Sequence, residues 1–366
     1  MTLRPQQDIT KILLSTSSYL VGEYEEEDLL LTIAFHDYRD GNSIQHETLD
    51  HEYFMLAMKT PPLDTFDDTF PVTIPDYSPR GDDFCIYLSI LYGKRFDNHG
   101  LVESVGNFWL PNYPPFSFYD PTLPFNIKKP RPDLEIPLNL REIKRIAPIL
   151  HLEMDDRFNR FLLLAGRFYV HALQHAESQP EIAYMDLITC GETLSNFFDY
   201  DQDNLLDDQI KADFAQIGWK IENGEKIVKR IRGNMLQIKR KFLMTILHLL
   251  SPYFFQQTEA TQPGIGVLKE DDILALIKAA YNLRSSYVHT GKNFGGQIKG
   301  HSRFNNEIRL GIRPKSIEKF LFESPTILGM ERIMRYCLLR FIHLYGTPID
   351  GRLDGEGLLS GIEDLE

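Results

Sequence analysis

Cysteine is scarce in this chain, and long apolar runs and cationic excess are missing. Cys85, Cys190 and Cys337 are its three cysteines, and they stand far apart among 366 residues. That spacing forms neither a disulfide framework nor a thiolate metal pair, which favours a reducing compartment. The longest apolar run, FLMTILHLLSPYFF at 242–255, falls short of the roughly 20 residues a membrane helix needs and is interrupted by His248 and Pro252. The N-terminus shows no uninterrupted apolar stretch followed by a small-residue cleavage site. The expectation is a cytoplasmic protein that meets no membrane. No Gly-x-Ser-x-Gly elbow occurs, and GGQIKG lacks the Lys-Ser/Thr ending and strand-turn-helix setting of a phosphate loop. There is no internal repeat and no low-complexity tract.

The formal net charge of −13 argues at first against a polyanionic partner. Its distribution reverses that. Residues 1–140 hold 10 Lys+Arg against 22 Asp+Glu, and residues 349–366 hold one against six. The segment 141–348 keeps 28 against 24, a balance of +4. The acid belongs to the front and the tail, while the middle is mildly basic.

Hydrophobic content of 43% with 25% charged residues is ordinary for a globular chain, and the length suggests two domains. Up to about residue 110 the chain reads as β-rich. LLLTIAFHD (29–37), EYFMLAM (52–58), DFCIYLSILYG (83–93) and VGNFWLP (105–111) are short apolar or alternating runs, rich in β-branched and aromatic residues. Turn clusters DYRDGNS and DYSPRGDD separate them. The charged EYEEEDLL reads as a solvated turn or strand edge. Residues 111–137 carry eight prolines, too many for a regular element. They read as a strap packed over the surface, with the domain boundary near its end.

Beyond that strap the apolar period changes from two to 3.6. Residues 156–178 place Phe158, Phe161, Leu162, Ala165, Ala172 and Ala176 on one helix face. Residues 181–198 form a second helix, with a stripe of Tyr184, Leu187, Ile188, Gly191 and Leu194. One or two more helices follow over 207–255, another over 270–288, and a last over 324–346. For that last helix Ser324 suits the cap, Pro325 the first position and Gly346 the stop. The expected fold is α+β in two domains: an acidic β-rich front (1–140), an α-helical bundle (141–348) and an acidic tail (349–366).

The segment YNLRSSYVHTGK, 281–292, holds the most informative pair. On a continuous helix Arg284 and His289 would lie about 140° apart and could not cooperate. The helix begins at Glu270 or Asp271, with acids at the positive end of its dipole. Its apolar residues run Ile273, Leu276, Ile277, Ala280, Leu283 and Tyr287, and Gly291 suits a left-handed stop. If the helix ends at about His289, the imidazole can swing back toward the guanidinium.

A helical bundle whose penultimate long helix ends in Arg-x4-6-His, before one last helix, resembles the HEPN superfamily. LRSSYVHTG is most similar to its Apea-like branch, found in anti-phage proteins. LITCGETL resembles that branch's apolar-apolar-Glu-x-Leu segment, which places Glu192 inside the bundle. The likeness covers roughly 145–348 and leaves the front outside. Many members have Asn directly after the Arg; this chain has Ser285, as the Apea-like branch often does. A bare Arg-x4-His carries little weight. Its helix-end position, the glycine two residues on, the helix after it and the Glu on helix two make it more specific.

The resemblance implies an endoribonuclease needing neither metal nor cofactor, with Arg284 and His289 catalytic in a composite cleft of a homodimer. Residue chemistry agrees. RNA carries its own nucleophile, the 2′-hydroxyl, so a proton acceptor and a cation for the phosphate suffice. Histidine suits the first role and arginine's fixed fork the second. The products would be a 2′,3′-cyclic phosphate and a 5′-hydroxyl. Ser286 and Tyr287 are secondary candidates, for bonding the phosphate or stacking a base. Glu192 reads better as a buried acid paired to a basic residue such as Arg284 than as a catalyst. Arg284 and His289 have a plainer role open to them, as a helix-end salt-bridge residue and a dipole partner.

Two basic stretches are candidates for holding tRNA or mRNA. KIVKRIRGNMLQIKRK (226–241) has seven Lys+Arg and no acid, with Lys239, Arg240 and Lys241 as candidate RNA contacts; a solvated helix face is its plain alternative. Residues 292–315 interleave Lys292, Lys299, Arg303, Arg309 and Arg313 with glycines, Phe294 and Phe304, as a cationic loop for single-stranded RNA. His171 and His175 stand four apart on a helix, but no third ligand has suitable spacing, so no metal is expected. His36-Asp37, in a predicted strand, resembles a phosphohydrolase dipeptide by coincidence. The acidic front would sense a phage or host trigger, or shield the cationic cleft, so that its removal raises activity. The alternative from another class is a non-catalytic HEPN module for dimerisation or for binding RNA or nucleotides, with a partner-recognising front.

Overall fold

The computed structural model describes residues 8–34, 52–61, 75–112, 122–152, 156–200, 205–234, 237–262, 264–291, 293–299, 305–315 and 317–359. A six-stranded antiparallel sheet comes first and a helical region follows, the α+β order suggested by the change of apolar period. The strands are β1 (Asp8–Thr16), β2 (Glu23–Glu25), β3 (Leu29–Ile33), β4 (Glu52–Thr60), β5 (Phe96–Ser104) and β6 (Asn107–Phe108). They lie in the order β2-β3-β4-β1-β5-β6. Register aligns Leu31 with Leu56 and Leu56 with Ile12, and all three are fully buried. Period-2 alternation thus builds one apolar row across three strands. β2 exposes Glu23 and Glu25 around buried Tyr24, the solvated edge expected of the charged run. DYRDGNS and His36-Asp37 lie outside the described residues.

DFCIYLSILYG is not a strand. It belongs to α1 (Ser78–Tyr92), which begins on Pro79 and stops at Gly93 with φ 63°, a left-handed cap that favours glycine. Every residue from Asp83 to Tyr92 is buried. A helix enclosed on all sides shows no amphipathic period, so its short apolar run mimics a core strand. VGNFWLP is likewise mostly a hairpin tip. Val105 and Gly106, both at positive φ, turn β5 back onto the two-residue β6. The polar β5, FDNHGLVES, is the strand that pairs with β1.

The proline-rich segment goes deeper than a surface strap. Residues 113–121 lie outside the described region, but Leu123, Phe125, Leu134, Ile136 and Leu138 join the core. The helices are α2 (Ala147–Leu150), α3 (Arg157–His175), α4 (Pro180–Ser195), α5 (Asp208–Lys220), α6 (Gly224–Asn234), α7 (Ile238–Leu249), α8 (Glu270–Thr290), α9 (Lys319–Glu323) and α10 (Ile327–Tyr345). The α4 stripe of Tyr184, Leu187, Ile188, Gly191 and Leu194 is buried. Three α-helices, not one or two, fill 207–249, because the chain turns at 221–223 and again where Gln237 takes φ 47°. The cap of α10 is Thr326, whose hydroxyl accepts from the Gly329 N–H at 3.2 Å, not Ser324.

α10 is buried from Ile327 to His343, four ionised side chains included. The Arg131 guanidinium donates to both Glu331 oxygens, at 2.9 and 2.7 Å, and also to Glu259. Arg335 pairs with Asp133 at 2.8 Å and Arg332 with Glu307 at 3.1 Å. Tyr169 of α3 donates to Glu331 at 2.6 Å. Arg131 and Asp133 come from the proline-rich segment, so the boundary near residue 140 is crossed by core ion pairs. Removing residues 1–140 would take away the partners of Glu331 and Arg335 on α10.

Beside this network Lys94 is fully buried, its ammonium donating to the Pro124 and Ile127 carbonyls at 2.6 and 3.0 Å. Burial first, then Arg131, pushes it from 10.5 down to about 7. Between those values the unfolded chain holds a proton that the folded chain has released, so this residue makes stability rise with pH. Urea midpoints at pH 7.5 and 9.5, taken across that window, should show Lys94→Met losing part of the wild-type rise. An unchanged rise would contradict this assignment.

Candidate functional site

α8 carries both proposed catalytic residues. Glu270, Asp271 and Asp272 occupy its first turn, where acids suit the dipole. Ile273, Ile277, Ala280 and Leu283 face the core. It ends at Gly291, which takes φ 65° and donates its N–H to the Tyr287 carbonyl at 2.9 Å. The expected glycine stop is at Gly291, but the helix runs through Thr290, one residue past the end expected at about His289. The helix is unbroken through Thr290, so His289 does not fray away. Arg284 and His289 stay on one continuous helix, about 140° and about 7.5 Å of rise apart.

Arg284 is partly exposed and donates to Glu192 of α4 at 3.2 Å, the pairing favoured for that acid. Its guanidinium lies 6.0 Å from the Tyr281 ring centroid. The Tyr281 hydroxyl is pushed up to about 12, by burial first and then by the Glu192 carboxylate beside it. Phe242 of α7 packs on the same ring at 5.4 Å. Arg284, Glu192 and Tyr281 therefore form one bonded group where α4, α7 and α8 meet. Gly191 makes this approach possible, since a Cβ there would meet the Phe242 ring at 2.5 Å. His289 is exposed, as are Val288 and Thr290.

The supporting residues divide. Ser285 and Ser286 are half-buried, and the Ser286 carbonyl accepts from Thr290. Tyr287 is half-buried and packs edge-on against Phe294 at 5.5 Å. Phe294 is itself buried. In the basic loop Lys299, Arg309 and Arg313 have partners in the fold. Lys299 donates to the Glu177 carbonyl and pairs with its carboxylate. Arg309 donates to the Leu321, Ser324 and Gln297 carbonyls, and burial pushes it down. Both cations fasten the loop to the fold. Arg313 donates to the Ile317 carbonyl at 3.0 Å. Lys292, Arg303 and Phe304 lie outside the described residues.

The run 226–241 is two helices. Lys239 on α7 donates to Asn282 of α8 at 2.8 Å and is pushed down by burial and by Lys278. Arg240 and Lys241 are half-buried. Lys229 and Arg232 of α6 line a cleft with Phe214 and Trp219 of α5. Trp219, 84% exposed, is an open ring that charge counting does not reveal.

The expectation of no third metal ligand also needs correcting. α3 and α4 form an antiparallel hairpin, and Asp186 of α4 lies beside the two histidines of α3. Asp186, His171 and His175 each place a ligand atom within 4.8 Å of the others. Burial raises the Asp186 carboxyl while His171 and His175 lower it.

Glu192→Ala would leave the half-buried guanidinium unpaired. Chemical denaturation should show a loss of about 1–3 kcal/mol, whereas Lys319→Ala at the exposed Lys319–Glu323 pair should change little. Equal effects would show that Glu192 does not anchor Arg284. Among the described residues no helix is long and apolar enough to cross a membrane. No protein-family model, curated protein or solved structure matches the chain.

Proposed function

We propose that this chain is a metal-independent endoribonuclease of HEPN type, acting on tRNA or mRNA as a homodimer. One observation carries it. Arg284 is held by Glu192 yet still partly exposed, and an exposed imidazole stands in the last turn of the same helix. A guanidinium has five N–H donors, so the bond to Glu192 leaves most of the fork for a phosphate. The exposed His289 imidazole can take the 2′-hydroxyl proton. The 2′ oxygen then attacks phosphorus, Arg284 stabilises the added charge, and the proton returns to the departing 5′ oxygen.

An unbroken helix keeps one copy's two groups apart, so the reactive pair is Arg284 of one copy with His289 of another. Exposed Val288 beside His289 gives the second copy an apolar foothold. Lys229, Arg232 and Trp219 on the α5–α6 hairpin suit RNA held by phosphate contacts and stacking. A cytoplasmic anti-phage or toxin-type role fits such a nuclease, with a phage or host trigger acting on the front. The unbroken helix and the Glu192 pair favour one rival: a non-catalytic module in which Arg284 only ties α8 to α4.

Cleavage of tRNA and total RNA in EDTA separates the two. Wild type should cut, and Arg284→Ala and His289→Ala should each cut at least about 100-fold more slowly. Cleavage by both variants at the wild-type rate, or none by any form, would exclude the nuclease.

A further inference from the structure

His171 and His175 lie one turn apart on α3, with ring centroids 4.3 Å apart. Across the hairpin, the Asp186 carboxylate faces them. Two features go beyond proximity. First, the His175 Nδ1–H donates to the His171 backbone carbonyl at 2.8 Å. A carbonyl only accepts, so this bond fixes the tautomer and leaves Nε2 with a free lone pair, the state in which histidine binds metal. Second, the Asp186 side chain is only 15% exposed, while His171 is 56% exposed and approaches its carboxylate at 3.1 Å through Nδ1. The carboxylate is held by the fold and the outer imidazole is free to adjust.

We infer that His171, His175 and Asp186 form a Zn²⁺ site that clips α3 to α4, with a solvent water completing the tetrahedron. Two imidazole nitrogens and one carboxylate oxygen are a common protein ligand set for zinc, and three such ligands leave one position open. Tetrahedral ligands at zinc lie about 3.3 Å apart, so separations of up to 4.8 Å must contract. Rotation of the exposed His171 side chain supplies that movement. On binding, the metal takes the Nδ1 position that His171 turns toward Asp186, and the neutral imidazole carries its one proton on Nε2. The clip braces α4, the helix that carries Glu192, but it shares no residue with the proposed nuclease pair and does not rest on it.

The test uses the full chain, stripped with EDTA and desalted, and reads binding instead of RNA cleavage. Calorimetry with Zn²⁺ should give one saturable site per chain, and Co²⁺ should give the visible bands of a tetrahedral ion. Asp186→Asn and His175→Gln should each weaken Zn²⁺ binding by at least about tenfold. His171→Gln, at the exposed position, provides a variant whose metal-free unfolding should match wild type. Absence of a saturable one-to-one event, or wild-type affinity in all three variants, would overturn the site and leave a simple His171–Asp186 ion pair.

Discussion

The bidentate pairing of Arg131 with Glu331 inside the core is the contact on which the other elements rely. Charges removed from water are tolerated only when paired and hydrogen-bonded in good geometry. Here Arg131, Arg332 and Arg335 meet Asp133, Glu259, Glu307 and Glu331, and further N–H groups find carbonyls of α1, the proline-rich segment and the loop after α7, while the Nε groups of Arg332 and Arg335 make no hydrogen bond. Each bond has a direction, so the network specifies where those segments sit in a way that apolar packing alone does not. Such a network also accounts for a helix that is buried yet rich in charge.

The candidate site depends on this frame at one remove. α10 supports α3 through Tyr169 and Glu331, and Tyr184 of α4 donates to the Pro325 carbonyl just before α10. α4 in turn presents Glu192 to Arg284. The guanidinium is thus positioned by a chain of polar contacts that begins in the core, while His289 stands outside it on an exposed helix end. One group is fixed and the other free. That division suits a site completed by a second molecule.

Much of this was legible from the residues. The α4 and α8 stripes, the Glu192–Arg284 pair and the Gly291 stop follow from helical period and cap chemistry. α1 was misread because enclosure on every side erases amphipathicity. The placement of Lys299 and Arg309 was missed because a cation's charge does not disclose whether its bonds go to solvent or to nearby carbonyls. Asp186 carries no signal in the sequence for another reason: ligand spacing along one helix does not reach across a hairpin. In an antiparallel hairpin, residues equidistant from the turn face each other, and His171 and Asp186 are equidistant from a point between Ser178 and Gln179. The depth of residues 122–138 had no local signal, since prolines mark irregular backbone without telling where it runs.

The proposed sharing of one site between two copies has a direct consequence for mixed protein. Arg284→Ala and His289→Ala are each expected to be inactive, but a pair made of one of each keeps one complete site, with Arg284 from one copy and His289 from the other. When the two are mixed equally and allowed to exchange, half the pairs are mixed and one of two sites in each is intact, so RNA cleavage should recover to about a quarter of wild type. No recovery, in a mixture shown to exchange subunits, would contradict a site assembled across two copies.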